Sequence, residues 1–248
     1  MSENPTSRGV TTEINATPRT QSARAPTKPA AGGWLSWRLG GSLVLWMLCC
    51  MGCSVDVSRP AVVKHYYLLE ITPQPSETPP QFSVPIKING FEVAPPFADR
   101  SLVYRVADQR YESDFYNEFF VAPRAMVTAR VTDYLAARRI FSAALPPSST
   151  VDAPYAIEGL VPSLYVDMRD QNQAKAVFSI QVFVTRTGTS ERRIILDRAY
   201  SHEFAVAERG PEQLVAGLSH AFELCLADLE RDLRGLDITT EAVGKAEK

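Results

Sequence analysis

Apolar positions recur along this chain with two different periods, and the changes between them predict the order of its elements. Val62 to Leu69 reads VVKHYYLL, β-branched and aromatic, and stops at the turn-rich Thr72-Pro73-Gln74-Pro75. That pattern predicts a first strand followed by a Pro-rich loop. From Val84 to Val93, Ile86, Ile88 and Gly90 alternate with Lys87 and Asn89, the period of a half-buried strand. A third strand is predicted from Ser101 to Val106, after Ala94-Pro95-Pro96. The next run, Tyr111 to Phe120, is rich in tyrosine and phenylalanine but fixes no state by its spacing.

The period then lengthens. Pro123 suits the first turn of a helix, where its missing N–H has no intrahelical partner to lose. Behind it Val127, Val131, Tyr134 and Leu135 recur at helical spacing, with Arg130, Asp133 and Arg139 elsewhere around the wheel, and the pattern ends near Ile140-Phe141. After the break at Pro146-Pro147-Ser148-Ser149, alternation returns. Tyr155, Ile157, Gly159 and Val161 make one strand; Phe178, Ile180, Val182 and Val184 make a second; Ile194 to Phe204 makes a third, with Thr187-Gly188-Thr189-Ser190 as the hairpin connection. One side of this sheet should be covered and the other partly wet. The last helix has a start at Gly210-Pro211-Glu212 and a stop at Arg231, Arg234 and Gly235. Between them Leu214, Leu218, Ala221, Phe222, Cys225, Leu229 and Leu233 trace one apolar face. The prediction is a single α/β or α+β domain over residues 62–236, a mixed β-sheet with two main helices, followed by a polar tail over 237–248.

The segment ahead of the domain is different in kind. Residues 1–38 carry only Val10, Ile14 and Leu35 as large aliphatics and hold five basic against two acidic residues, a balance of +3. They cannot bury enough apolar surface to offset ordering entropy and are expected to be a disordered basic n-region. Because the chain as a whole is −2, the remainder carries −5, and no basic stripe is visible. That argues against the electrostatic footprint of a nucleic-acid binder. Residues 39–52, LGGSLVLWMLCCMG, form an uncharged run directly behind Trp37-Arg38. It has signal-peptide length and is shorter than the roughly 20 residues of a spanning helix.

The run ends at Gly52-Cys53-Ser54 and polar sequence follows at once. This resembles a bacterial lipobox, in which a small residue precedes the cysteine that receives a diacylglyceryl group. Cys53 is thus the candidate lipidation site and the first residue of a lipid-anchored tether over 53–61. Cys50 and Met51 stand where a lipobox usually has other residues, and the alternatives are an uncleaved signal anchor or an ordinary apolar N-terminus. Val55, two places after Cys53, is not the Asp that retains lipoproteins at the inner membrane of enteric bacteria, which favours the periplasmic face of the outer membrane. Processing at Cys53 leaves Cys225 as the only free thiol, read as a small buried hydrophobe.

The order of elements and several phrases resemble the ABC-type transport auxiliary lipoprotein family. The phrases are Tyr66-Tyr67-Leu68-Leu69 soon after the lipid cysteine, the stretch from Val93 to Arg105 (VAPPFADRSLVYR), the aromatic run from Tyr111 to Phe120, and the Pro123 helix ending at Leu135 to Phe141. A tryptophan expected just before the first helix is missing, with Phe119-Phe120 nearby. The resemblance implies a three-layer domain with a mixed sheet. It also implies an auxiliary role beside an MCE-domain protein and an inner-membrane permease and ATPase that move phospholipid or other lipids between the two membranes. Self-association is left open. The rival reading is an outer-membrane assembly or scaffolding lipoprotein unconnected with such a transporter.

Candidate chemistry is sparse. His65, His202 and His220 have no Cys or carboxylate at ligand spacing, and there is no G-x-x-x-x-G-K-[ST], G-x-S-x-G or H-E-x-x-H. No catalytic residue, metal or cofactor is expected, and the chain is read as a non-enzymatic protein. The one site-like feature is an aromatic group, Phe97, Tyr104, Tyr111, Phe115, Tyr116, Phe119 and Phe120. These rings either pack in the core between the early strands and the first helix or form a lipid-contacting or partner-contacting patch, and exposure decides between the two.

Overall fold

The computed structural model describes residues 61–187 and 193–238. The n-region, the apolar run, Cys53 with nearly all of its tether, most of the Thr187–Ser190 connection and residues 239–248 of the tail lie outside the described residues. In chain order the elements are β1 (His65–Tyr67), β2 (Ile86–Val93), a 3-10 turn at Pro95–Phe97, β3 (Ser101–Ala107), β4 (Arg110–Phe119), α1 (Pro123–Arg138), β5 (Ala144–Leu145), β6 (Tyr155–Asp167), β7 (Ala174–Arg186), β8 (Arg193–Val206) and α2 (Pro211–Arg234). They form one mixed eight-stranded sheet with two helices.

β6 is the spine of that sheet. Its full length pairs antiparallel with β7, which pairs antiparallel with β8. Its other edge is shared: Tyr155 to Val161 run parallel to β2, and Val166-Asp167 run parallel to β3. β3 then pairs with β4, and β4 pairs in parallel with β1, which forms an outer edge. The spine has a pinch point at Gly159. A Cβ there would lie 2.2 Å from the Gln181 carbonyl oxygen and within 2.8 Å of the Phe91 ring, so only a residue without a side chain lets β2, β6 and β7 close up.

Both helices cover the same face. Phe178 of β7 stacks on Phe222 of α2 with centroids 4.4 Å apart, and buried Ile86, Ile88, Ile157, Ile180 and Val184 line up on that side in register. α1 lies beside α2, joined through Glu230, which accepts hydrogen bonds from Tyr134 at 2.9 Å and from Arg138 at 2.7 and 3.0 Å. The described residues thus form one α/β domain, a mixed sheet with two main helices, as the sequence predicts. The Glu230 contacts hold the second helix next to α1.

Three local expectations change. The first strand is three residues long instead of eight, because the chain leaves the sheet after Tyr67 to run between the helices. There the Leu69 amide meets Met126 Sδ at 3.1 Å, its carbonyl accepts from Arg130, and the Glu70 amide reaches Ser219 Oγ. Tyr111 to Phe120, whose spacing fixes no state, falls in strand β4 up to Phe119. A two-residue strand, β5, follows α1 and extends the sheet beside β2.

Candidate functional site

The seven aromatic residues singled out in the sequence separate into distinct groups. Phe97 and Phe119 are buried. Phe119 points to the helix side, while Phe97, carried by the 3-10 turn, stacks on Tyr165 on the helix-free face with centroids 5.6 Å apart. Tyr111 meets both rings edge-on at 6.1 and 5.5 Å, and the Arg105 guanidinium lies over it. In this trio Phe97 is buried and Tyr165 partly so, while Tyr111 is exposed at 43%. Tyr104 is half-buried on the other face, where burial and its hydrogen bond to Asp114 push its hydroxyl pKa upward.

The outer group is exposed. Phe115 is 59% accessible, Tyr116 55% and Phe120 59%, and Tyr66 from β1 joins them at 48%. Phe120 meets Tyr66 edge-on at 6.0 Å, and Phe115 meets Tyr116 edge-on at 5.4 Å. Two cations knit the pairs together. Lys64 Nζ sits 4.4 Å above the Phe115 ring and the Arg100 guanidinium lies 5.6 Å from the Tyr66 ring, distances at which a cation is attracted by the ring face. Both cations converge on the largely buried carboxylate of Glu118, Lys64 in a short ion pair and Arg100 at 2.9 Å. Hydrogen bonding from Lys64, and after it from Arg100, holds Glu118 below the usual carboxylate range.

The protrusion that shows Phe115 and Tyr116 to solvent is built, not frayed. Along β3 the register steps from Ser101 to Val103 while along β4 it steps from Glu118 to Ser113. The extra residues of β4, Asp114 to Asn117, bulge out of the ladder. Asp114 pins that bulge from inside: its carboxylate accepts the Tyr116 amide at 2.8 Å, the Asn117 amide at 3.0 Å, the Asn117 side-chain amide at 2.8 Å and the Tyr104 hydroxyl at 2.8 Å. Burial alone would raise the Asp114 pKa, but these four donors, Asn117 foremost, leave it lowered. A bulge that holds two large rings in water, fixed by a carboxylate with four donors, is an organised surface.

Sequence patterning does not single out Tyr66, Lys64, Arg100, Asp114 or Glu118 as site residues. Tyr66 carries a signal, since it lies on the alternating side of a strand that also carries Lys64; the other three act through contacts that cross from strand to strand. Beside this surface runs an open groove of about 540 Å³ between Tyr66–Glu70 and α2, lined also by Glu212, Ser219 and His220. Among the described residues no group of three His, Cys, Asp or Glu side chains is placed to hold a metal ion. His202 pairs with Asp228 at 2.7 Å, and His220 packs against Phe204.

No family model and no curated protein matches this sequence. Solved structures do. A protein of Xanthomonas campestris assigned to the DUF330 family matches with a TM-score of 0.59 at 12% identity, over 68% of this chain and 95% of that one. The chain shares its fold. A structure described as an uncharacterized protein matches with a TM-score of 0.51 at 15% identity, over 69% of this chain and 99% of the other. The matched share is close to the extent of the described residues, and both matched proteins are spanned almost end to end. The shared fold is the mixed sheet with its helix pair, and the exposed aromatic edge is described for this chain alone.

Proposed function

We propose that this protein is an envelope lipoprotein, anchored through Cys53 at the periplasmic face of the outer membrane. In that place it serves as a non-enzymatic auxiliary component of an ABC/MCE-type system that moves phospholipid or other lipids between the membranes. The observation that carries the reading is the combination, in one chain, of a DUF330-type fold with an uncharged export-length run ending at Gly52-Cys53. About nine residues separate Cys53 from Val62, and an extended chain covers at most about 3.6 Å per residue, so the domain stays within roughly 30 Å of the anchoring membrane. A domain on so short a tether does not bridge two membranes. Its role is that of a docking collar for a longer MCE-domain partner, which in turn engages the permease and ATPase.

The test has two steps. Metabolic labelling with an alkyne fatty acid should mark the wild-type protein and not Cys53→Ala. Crosslinking in intact cells followed by purification should then recover an MCE-domain protein. An unlabelled chain retaining residues 1–52 overturns the anchor; an acylated chain that repeatedly captures no MCE-domain protein overturns the transport role and favours a scaffolding lipoprotein.

A further inference from the structure

The outer aromatic edge lies where the chain arrives. Val62, Val63 and Lys64 lead into β1, both valines are exposed, and Lys64 itself covers the Phe115 ring. Tyr66 and Glu118 are register partners, so they share the helix-free face, and Arg100 reaches the same carboxylate. The surface thus combines exposed Phe and Tyr rings with two cations held at its rim by the largely buried Glu118 carboxylate, while the Asp114 carboxylate is turned to the inside of the bulge. Rings with an apolar body and a polar tip settle at the headgroup level of a bilayer, and flanking lysine and arginine keep their charges in the aqueous layer.

From this we infer that Tyr66, Phe115, Tyr116 and Phe120 form a membrane-seating surface that inserts into the headgroup region of the bilayer to which the chain is anchored. The inference rests on the lipoprotein reading above, and it identifies what that site touches. Only eleven positions separate Cys53 from Lys64, at most about 40 Å of extended chain, so an anchored Cys53 delivers this edge to the bilayer before any other part of the domain. Seating adds a second attachment to the lipid and fixes the orientation of the sheet: the β1 edge lies down, and the β8 edge stands away from the membrane. The Asp114-pinned bulge has the rigidity such a contact needs, because the rings are held out before the membrane is met and little ordering remains to oppose insertion.

The sequence supplies a clean probe. All three tryptophans, Trp34, Trp37 and Trp46, precede Cys53, so the processed protein has none. Phe120→Trp places an indole reporter in the surface, and Ile194→Trp places one at an exposed site on β8, at the far edge of the sheet. The lipidated proteins are reconstituted into vesicles of phosphatidylethanolamine and phosphatidylglycerol containing phosphatidylcholine brominated near the top of its acyl chains, with acylation verified by mass spectrometry. The Phe120→Trp protein should lose most of its fluorescence and shift to the blue, while the Ile194→Trp protein is unaffected. Adding Phe115→Ser and Tyr116→Ser to the Phe120→Trp protein strips the neighbouring rings and should restore most of the signal. If the protein is acylated and vesicle-bound but the reporter at position 120 is no more quenched than the one at position 194, the seating surface is overturned while the anchor stands, and the edge is then free for a protein partner. If Cys53 carries no lipid, both readings fall.

Discussion

The Asp114 carboxylate accepts the Tyr104 hydroxyl at 2.8 Å, tying the bulge of β4 to the strand beside it. The same carboxylate takes two backbone amides of the bulge. Its loss frees those amides, of which that of Tyr116 is exposed, together with a half-buried phenol, so Asp114→Ala should destabilise the domain by about 1–2 kcal/mol, more than the loss of a single bond. Tyr104→Phe removes one bond only and should cost about 0.5–1.5 kcal/mol. Hydrogen exchange separates local from global effects: in Asp114→Ala the Tyr116 and Asn117 amides should exchange far faster than the amides of β6 and β7. Equal protection in mutant and wild type would show that the bulge does not depend on this carboxylate.

Glu230 should set much of the acid stability. Burial raises its pKa, but hydrogen bonds from Arg138, Arg234 and Tyr134 outweigh that and hold it below its ordinary value of 4.5. A carboxylate whose folded pKa is lowered contributes stability that is fully present above its unfolded pKa and is lost as pH falls through the folded one. Unfolding free energy should therefore decline as the solution is taken below about pH 4.5. Glu230→Gln should flatten that decline and lower stability at neutral pH by about 1–3 kcal/mol, since it leaves guanidinium donors short of an acceptor between the helices. Urea titrations of both proteins across the acid range measure the two effects.

What can be read from the sequence is what short-range patterns encode. α2 spans Pro211–Arg234, between the Gly210-Pro211-Glu212 start and the Arg231-Arg234-Gly235 stop, because a helix with local caps and a continuous apolar stripe needs no distant partner to define its ends. The strands around Ile86, Ile157 and Ile180 likewise follow from alternation. The shortness of β1 is not legible, because Leu69 is withdrawn from the sheet by Met126 and Arg130, which lie in a helix far along the chain. Nor is the pairing of the two helices, in which Glu230 reaches Tyr134 across 96 positions. The aromatic group is visible as a cluster of ring residues, but its division is not: Phe119 and Phe120 are neighbours in sequence, and only the register with β1 decides that one is core and the other surface.

Gly159 offers a test of how tightly the sheet is closed. Gly159→Ala would press its methyl onto the Gln181 carbonyl oxygen and the Phe91 ring. Overpacking of a well-filled core costs about 1–3 kcal/mol when neighbours can shift, and here one neighbour is backbone of the adjoining strand, which cannot. The expected result is a loss at or above the top of that range, seen as a lowered denaturation midpoint. Gly159→Ala/Phe91→Leu, which removes the ring but not the carbonyl contact, should recover only part of it. Full recovery would place the strain in the ring alone.

Cys225 should behave as an inert thiol. It is fully buried on α2, and burial, with the nearby Asp228 charge adding to it, pushes its pKa up to about 12. Nucleophilic attack requires the thiolate, so both access and ionisation are withheld in the folded protein. In the protein processed at Cys53 it is the only free thiol, and a thiol reagent at mildly alkaline pH should register no fast reaction. Modification should appear only as the domain opens, its rate rising with denaturant in step with unfolding and becoming independent of reagent concentration once chemistry outpaces closing. Cys225→Ser should abolish the signal and cost stability, because it buries a more polar group whose shorter bond to Cβ sets it farther from the Phe178 carbonyl that the thiol now meets at 3.7 Å; Cys225→Ala should abolish the signal at smaller cost. A rapid stoichiometric reaction in native buffer would mean that α2 opens locally without the rest of the sheet, and would place the low-stability part of the domain at its helix layer.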